Sequence, residues 1–453
     1  MTQKVFIQSL GCPKNLVDSE VITGCLQEAG MSITDNPEEA DILLVNTCGF
    51  IQPAVEEGIE AILALVAIKG KKPGSKLVVT GCMVQRYGLQ LAKELPEVDL
   101  FLGVDGVPEV AARLADLTSE PEFTLSESAP SYLMDSLIPR TLSTPPFRAY
   151  LKVTEGCSNR CTYCLIPSLR GPLRSRPIED LLIEARLLAD SGVKELTLVA
   201  QDLTAYGMDF GPGRERLLDL LQGLLQETNI PWIRMLYLYP MRVKDALLDF
   251  VAAYPRILPY FDIPLQHISD RILQAMNRPY TRVSVEKLIR DIRARIPGAA
   301  LRTTFMVGFP GENETDVNQL SDFMDEFKID HVGIFTYSNE EGCAAAELAD
   351  QCPEEVKLAR KALLMEKQSQ LALTSNQQLI GSIQEVLVEG TSRETELLLE
   401  GRTRFQAADI DGCVYITSGF CNPGDLVKVR ITEAHPYDLV GEILGSEDEQ
   451  SEK

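Results

Sequence analysis

Between residues 148 and 374 a strand-like run followed by a helical pattern recurs six times, and this repetition constrains the fold more than any other feature of the chain. Candidate strands occupy residues 149–154, 195–201, 233–239, 260–266, 301–307 and 332–337. Helical patterns occupy 178–190, 214–227, 242–253, 283–295 and 314–327. Alternating units of this kind build a parallel sheet with helices outside it. Six of them fit a parallel β/α barrel or partial barrel, whose C-terminal strand ends form the active face.

The flanking segments read differently. Residues 1–116 alternate strands at 4–9, 41–46 and 76–80 with helices at 17–29 and 52–68, the pattern of an open parallel α/β domain. Residues 117–147 are rich in Ser, Pro and Thr and read as a linker. A polar helix over 354–378 closes the central segment and leads into short strands at 382–388, 395–399, 413–417 and 426–432. Residues 375–441 are thus expected to form a small OB-like β-barrel, and residues 442–453 an acidic tail. The fold class is α/β with this all-β appendage.

Composition narrows the setting. The start of the chain shows neither a long apolar run nor a small-residue cleavage site. The longest wholly apolar run, residues 61–68, is too short to span a bilayer. A cytoplasmic protein without membrane contact is expected. In that reducing compartment the eleven cysteines are not expected to pair as disulfides, so clustered ones point to metal or catalysis. The formal net charge of −23 disfavours direct binding of nucleic acid, which draws its affinity from phosphate neutralisation. It favours a cationic partner, steered by a negative field.

The strongest local signal is Glu155-Gly156-Cys157-Ser158-Asn159-Arg160-Cys161-Thr162-Tyr163-Cys164, a C-x3-C-x2-C spacing directly after the first strand of the repeated pattern. Three thiolates so close suit an iron–sulfur cluster. With no fourth cysteine nearby, one iron of a cubane stays open and can chelate a molecule bearing an amine and a carboxylate, as S-adenosylmethionine (SAM) does. The competing reading is a zinc knuckle, although structural zinc takes four ligands and favours two separated cysteine pairs.

This loop on a six-unit β/α array resembles the radical-SAM enzymes across roughly residues 145–370. The resemblance implies that Cys157, Cys161 and Cys164 ligate a SAM-binding 4Fe-4S cluster and that Tyr163 lies against the adenine end of SAM. It also implies that the segment Met306-Val307-Gly308-Phe309-Pro310-Gly311-Glu312 contacts SAM, through Gly308, Gly311 and Glu312.

A second trio lies in the first segment. Cys12, Cys48 and Cys82 each fall two or three residues past a candidate strand, in VFIQSLGC, DILLVNTC and KLVVTGC. In an open α/β sheet ligands gather beyond the carboxyl ends of the strands, so three cysteines distant in sequence can converge. One cysteine so placed would pass as buried core; three in equivalent positions favour a second cluster. With the central core and the C-terminal β-domain, which resembles the TRAM domain, the chain resembles the radical-SAM methylthiotransferases over nearly its whole length. The resemblance implies a transferase with two 4Fe-4S clusters, the second of which, on Cys12, Cys48 and Cys82, carries the sulfur or methylthio group to be inserted.

That family has two branches. One modifies an adenosine in tRNA, the other the β-carbon of an aspartate in ribosomal protein uS12. Gly11-Cys12-Pro13-Lys14-Asn15-Leu16-Val17-Asp18-Ser19-Glu20, together with Thr154-Glu155-Gly156-Cys157 and Ile166-Pro167-Ser168-Leu169-Arg170-Gly171, looks like the ribosomal-protein branch. The β-domain agrees. Residues 375–441 hold ten acidic and five basic residues, whereas a barrel that grips RNA should be basic or offer aromatic platforms. The partners implied are uS12 or the small ribosomal subunit and an electron donor such as a flavodoxin. The tRNA enzyme remains the nearest alternative, and a non-enzymatic iron–sulfur or zinc RNA-binding protein the alternative from another class.

Arg170, Arg174 and Arg176 follow the cysteine loop and are candidates to pair with carboxylates of SAM or substrate; a solvated basic loop is the competing reading. Gln201 and Asp202 end the second barrel strand and Gln266 and His267 the fourth, so Gln201 and Gln266 are candidate SAM contacts, with loop capping the alternative.

Overall fold

The computed structural model describes residues 2–117, 122–125, 129–213 and 216–444. Parts of the expected linker (118–121 and 126–128), the expected start of the helix at 214 and the acidic tail from 445 on lie outside the described residues.

The first unit runs β1 (Lys4–Ser9), α1 (Pro13–Glu28), β2 (Ser32–Ile33), β3 (Ile42–Thr47), α2 (Gln52–Lys71), β4 (Lys76–Gly81), α3 (Cys82–Tyr87), α4 (Leu89–Glu94), β5 (Leu100–Leu102), α5 (Val110–Asp116) and β6 (Glu122–Thr124). All six strands are parallel, in the order β2-β1-β3-β4-β5-β6. β3 is buried along its whole length, as a strand covered on both faces must be. Helix α1 starts at Pro13, four residues before the apolar periodicity begins, because proline is pre-organised for the first helical position. The short strands β2, β5 and β6 escaped the sequence pattern.

The central unit comprises β7 (Arg148–Lys152), β8 (Thr154–Glu155), α6 (Ile166–Arg170), β9 (Arg174–Ser175), α7 (Ile178–Asp190), β10 (Glu195–Val199), α8 (Leu217–Glu227), β11 (Trp232–Met235), α9 (Asp245–Ala253), β12 (Tyr260–Asp262), α10 (Asp270–Ala275), α11 (Arg282–Arg295), β13 (Ala300–Val307), α12 (Glu314–Phe327), β14 (His331–Thr336) and α13 (Glu354–Gln377). Strands β7, β10 and β11 form one parallel sheet and β12, β13 and β14 another. Hydrogen bonds such as Leu238 N to the Asp262 carbonyl (2.8 Å) join them into a partial β/α barrel. Leucines, isoleucines and valines of α7, α8, α9, α11 and α12 pack on its outer face in one continuous core. Helix α1 of the first unit lies against β7, and α13 against β14.

The third unit is a closed antiparallel-dominated barrel of β15 (Ile383–Thr391), β16 (Leu399–Thr403), β17 (Val414–Ser418), β18 (Leu426–Ala434) and β19 (Leu439–Ile443). The strand expected at 395–399 is displaced: β16 begins at Leu399, where pairing with β15 starts. This small barrel sits beneath the partial barrel. Its contacts reach the first residues of the central strands: Arg148 pairs with Asp409, Glu195 with Arg402, and Trp232 Nε1 donates to Glu385. It therefore lies at the end opposite the C-terminal strand ends.

Candidate functional site

A cavity of about 380 Å3 opens at the C-terminal ends of the central strands, under the edge of the first unit. Six cysteines line it: Cys12, Cys48 and Cys82 from the first unit, and Cys157, Cys161 and Cys164 from the central one. Local geometry explains how three distant strand ends converge. Cys12 follows Gly11 (φ +90°), whose position admits no Cβ because it would lie 2.7 Å from Cys48 Cβ. Cys82 follows Gly81 (φ +102°), where a Cβ would lie 2.4 Å from the Thr47 carbonyl oxygen. Both backbones adopt a conformation that glycine alone takes freely. Asn15 and Asn46 then tie the first and second strand ends together, Asn15 Nδ2 donating to the Leu10 carbonyl at 2.6 Å and Asn46 Nδ2 to the Asn15 carbonyl at 2.9 Å.

Each trio has one guanidinium against a sulfur. Arg170 Nε donates to Cys82 Sγ at 3.1 Å, and Arg278 Nη1 to Cys161 Sγ at 3.5 Å. Burial pushes the thiols of Cys48 and Cys164 up, to about 11 and about 12. It also raises those of Cys82 and Cys157, with Arg170 opposing the rise at Cys82. These thiols are neutral unless a cation takes the proton's place, which a metal centre does. Among the described residues no group of His, Cys, Asp and Glu side chains is drawn together as a single-ion site. All six thiols line one chamber, three from each unit, and thiolate trios are the ligands that iron–sulfur clusters take.

A buried charge network binds the two units behind the cavity. Lys152 pairs with Asp18 of α1 and with Glu155 (3.0 Å); Arg170 pairs with Asp18 (2.7 Å) and donates to Asn15 Oδ1 (3.1 Å). Two cations and two carboxylates balance, as buried charges must. Burial alone would raise the Glu155 carboxyl, but Lys152 and Arg170 hold it well below the usual range. Gln201 donates to Glu155 at 3.2 Å. A second clamp joins the units at Glu340. Its carboxylate accepts from the Gln52 N–H at 2.7 Å and pairs with Arg86 at 2.7 Å, while Arg86 donates to the Gly49 carbonyl at 3.0 Å. The segments after Cys48 and Cys82 are thereby fastened to the central unit.

Tyr163, Gln201 and Gln266 line the cavity, as does Arg170, but Arg170 spends its donors on Cys82, Asp18 and Asn15. Arg174 and Arg176 do not reach the cavity. Arg174 donates to the carbonyls of Pro172, Tyr132 and Arg170, and Arg176, wholly buried, pairs with Asp180 and Glu184 of α7. The expected role of these two in gripping a carboxylate ligand is corrected to one of bracing the loop. Gly308, Gly311 and Glu312 also lie off the cavity lining. Glu312 accepts from the Gly308 N–H at 2.8 Å and pairs with Arg360 (2.8 Å) and His267 (3.3 Å), so it organises the segment after β13 from behind. Sequence reasoning missed Lys14, Asn159, Tyr237, Tyr239 and Arg278, all cavity-lining. A physical signal of function is present at two positions. Tyr237 and Gln266 hold φ of 62° and 66°, and such strain in non-glycine residues clusters at functional sites.

Comparison with known proteins accords with this architecture. Residues 4–103 match the family described as Uncharacterized protein family UPF0004, residues 151–324 the Radical SAM superfamily and residues 380–444 the TRAM domain. The solved structure of the radical S-adenosylmethionine methyltransferase TsrM from Kitasatospora setae, with cobalamin and a [4Fe-4S] cluster bound, superposes with a TM-score of 0.54 at 13% identity, covering 85% of this chain and 77% of that one. The cobalamin-dependent S-adenosylmethionine radical enzyme OxsB gives 0.51 at 12% identity, covering 82% and 62%. These likenesses concern the fold. Sequence relatives are far nearer. The ribosomal protein uS12 methylthiotransferase RimO of Desulfotalea psychrophila is 53% identical over 444 residues, covering 98% of this chain and all of that protein. Its counterparts in Syntrophus aciditrophicus (50%) and Geobacter sulfurreducens (47%) each cover 98% of this chain and 99% of their own length. At such identity over the full length, the chain belongs to the RimO family of radical-SAM methylthiotransferases.

Proposed function

We propose that this chain adds a methylthio group to the β-carbon of an aspartate in ribosomal protein uS12. The observation that carries the reading is that both cysteine trios line one cavity, one trio from each of two units that a buried charge network holds together. Cys157, Cys161 and Cys164 would hold the SAM-binding 4Fe-4S cluster, and Cys12, Cys48 and Cys82 the second. When bound, the first group with SAM supplies a radical for hydrogen abstraction and the second supplies sulfur.

The chain's own residues do the rest. Tyr163, Gln201 and Gln266 bind SAM from the wall they share with the central trio. Arg170 sets positive charge against the Cys82 sulfur and opposes the rise that burial imposes on that thiol, and Arg278 donates to the Cys161 sulfur. Phe50, Ile166, Leu169, Leu238, Tyr237, Tyr239 and Pro264 make the lining chiefly apolar and keep water from the reacting carbon. The clamp at Glu340 fixes the distance between the trios, on which transfer in a single chamber depends.

The acidic small barrel suits a basic ribosomal protein by matched potential, and an electron donor such as a flavodoxin completes the reaction. Among the described residues no helix is long and apolar enough to cross a membrane. A ribosomal substrate supports a cytoplasmic setting. The test is anaerobic reconstitution with iron, sulfide and SAM, followed by mass spectrometry of uS12 and of tRNA incubated in parallel. The reading requires a mass gain of one methylthio group on a uS12 aspartate. Modification of tRNA instead assigns the chain to the nucleic-acid branch, and stoichiometric zinc without sulfide removes the enzyme reading.

A further inference from the structure

Among the described residues Lys14 is the one lysine that lines the cavity, and it is out of keeping with the charges around it. It is the second residue of α1, 8% exposed, and its ammonium faces the chamber across the Tyr237 ring at 5.8 Å from the ring centroid. Its cationic neighbours are all partnered: Lys152 by Asp18 and Glu155, Arg170 by Asp18, Asn15 and Cys82, Arg278 by the Pro264 carbonyl and Tyr280. Among the described residues Lys14 Nζ has neither a hydrogen bond nor an ion pair. The local carboxylates Asp18 and Glu155 are taken by Lys152 and Arg170, so among the described residues no carboxylate pairs with this ammonium. A buried ammonium without a partner is costly, and an anionic group entering the chamber removes that cost.

Its place in the chamber narrows the anion. Lys14 lines the same chamber as Cys12 and Cys157, one from each trio. A group held by Lys14 therefore sits in the space the two proposed clusters share. Building on the function proposed above, we infer that Lys14 binds the side-chain carboxylate of the substrate aspartate. The β-carbon is bonded directly to that carboxyl carbon. Pinning the carboxylate from the first unit thus holds the β-carbon, and the hydrogen to be removed, in the space the two trios share. It also gives the enzyme a means of telling aspartate from asparagine, since the amide leaves the ammonium unanswered. SAM carries a carboxylate as well, so the two sources must be separated by experiment.

The test uses full-length protein loaded anaerobically with both clusters, as wild type, Lys14→Met and Lys14→Arg. Affinity is measured by fluorescence anisotropy for labelled uS12 bearing either the native aspartate or asparagine in its place, and SAM affinity by equilibrium dialysis. Wild type is expected to prefer the aspartate form by about a hundredfold, the scale of truncating one partner of a buried charge pair. Lys14→Met is expected to bind both forms alike and as weakly as wild type binds the asparagine form. Lys14→Arg should keep most of the preference, and iron content and SAM affinity should not change. Retention of the aspartate preference in Lys14→Met overturns the inference. So does a fall in SAM affinity with the preference intact, which makes SAM the source of the carboxylate, or a loss of iron in both variants, which makes Lys14 a counter-charge to the cluster. If wild-type protein neither binds nor modifies uS12, the proposed function itself fails, and this inference falls with it.

Discussion

Replacing Arg402 by methionine should loosen the small barrel from the foot of the central unit, and the structure sets the size of the effect. Arg402 of β16 is buried and pairs at 2.5 Å with both Glu195 of β10 and Glu389 of β15, while also donating to the Gln406 carbonyl at 3.0 Å. Its removal leaves Glu195 with Arg234 alone and Glu389 with Arg148 at 3.5 Å. Breaking a buried pair by deleting one partner costs about 3–5 kcal/mol. The ionisation of Glu195, held by Arg402 and Arg234 jointly, points the same way. Burial would raise the Glu195 carboxyl, yet Arg402 and Arg234 outweigh it and bring it from 4.5 to about 2, a shift equivalent to about 3 kcal/mol. Because the folded value lies below the unfolded one, this stability is present above pH 4.5 and is lost as pH falls toward 2. The assay is built into the chain. Trp232 is the only tryptophan, and its indole N–H donates to Glu385 of the small barrel at 3.1 Å. Its fluorescence during guanidinium unfolding of the cluster-free chain therefore reports separation of the two units. Arg402→Met should lower the midpoint at pH 7 by the equivalent of about 3 kcal/mol. In Glu195→Gln the wild-type loss between pH 4.5 and pH 2 should flatten. A change below about 0.5 kcal/mol in Arg402→Met, the size of an ordinary surface substitution, would refute the reasoning.

Three further outcomes are expected. Replacing Cys157, Cys161 and Cys164 together by alanine should halve the iron content from about eight per chain and abolish SAM cleavage; replacing Cys12, Cys48 and Cys82 should also halve iron but spare SAM cleavage while ending methylthio transfer. Glu340→Gln, which weakens the pair with Arg86, should leave SAM cleavage near normal and reduce transfer, with faster amide hydrogen exchange in residues 49–56 as the independent readout. Gly81→Ala should destabilise the first unit by more than about 2 kcal/mol, because a positive φ is combined with an overlap onto the Thr47 carbonyl. Lower iron uptake and a lower melting temperature would be measured, and wild-type behaviour in both would contradict the assigned backbone constraint.

How much could be read without coordinates depended on range. The central trio was legible because ten consecutive residues carry it, and the first trio because three strand ends repeat one offset. Lys14 was in plain view beside Cys12, but nothing local reveals that it faces Tyr237 across a domain boundary. Arg278 reaches the chamber only because the turn after α10 directs it there. Arg176 misled because its partners Asp180 and Glu184 lie on α7, which begins two residues later and turns both carboxylates back onto it. Glu312 entered through the resemblance of its segment to a SAM-contacting one, and its partners Arg360 and His267, 48 and 45 positions away, could not be read from that segment. The third unit was readable as a barrel, but its register was not, because strand pairing rather than local pattern fixes where β16 begins.

The small barrel and the reaction chamber occupy opposite ends of the central strands, the longest of which has eight residues, a height of about 26 Å. A partner caught by the barrel is consequently held at arm's length. To be modified it must send about eight extended residues up the flank before its tip enters the mouth. Such a hold adds residence time and local concentration at the entrance, while leaving the choice of which atom reacts entirely to the far end.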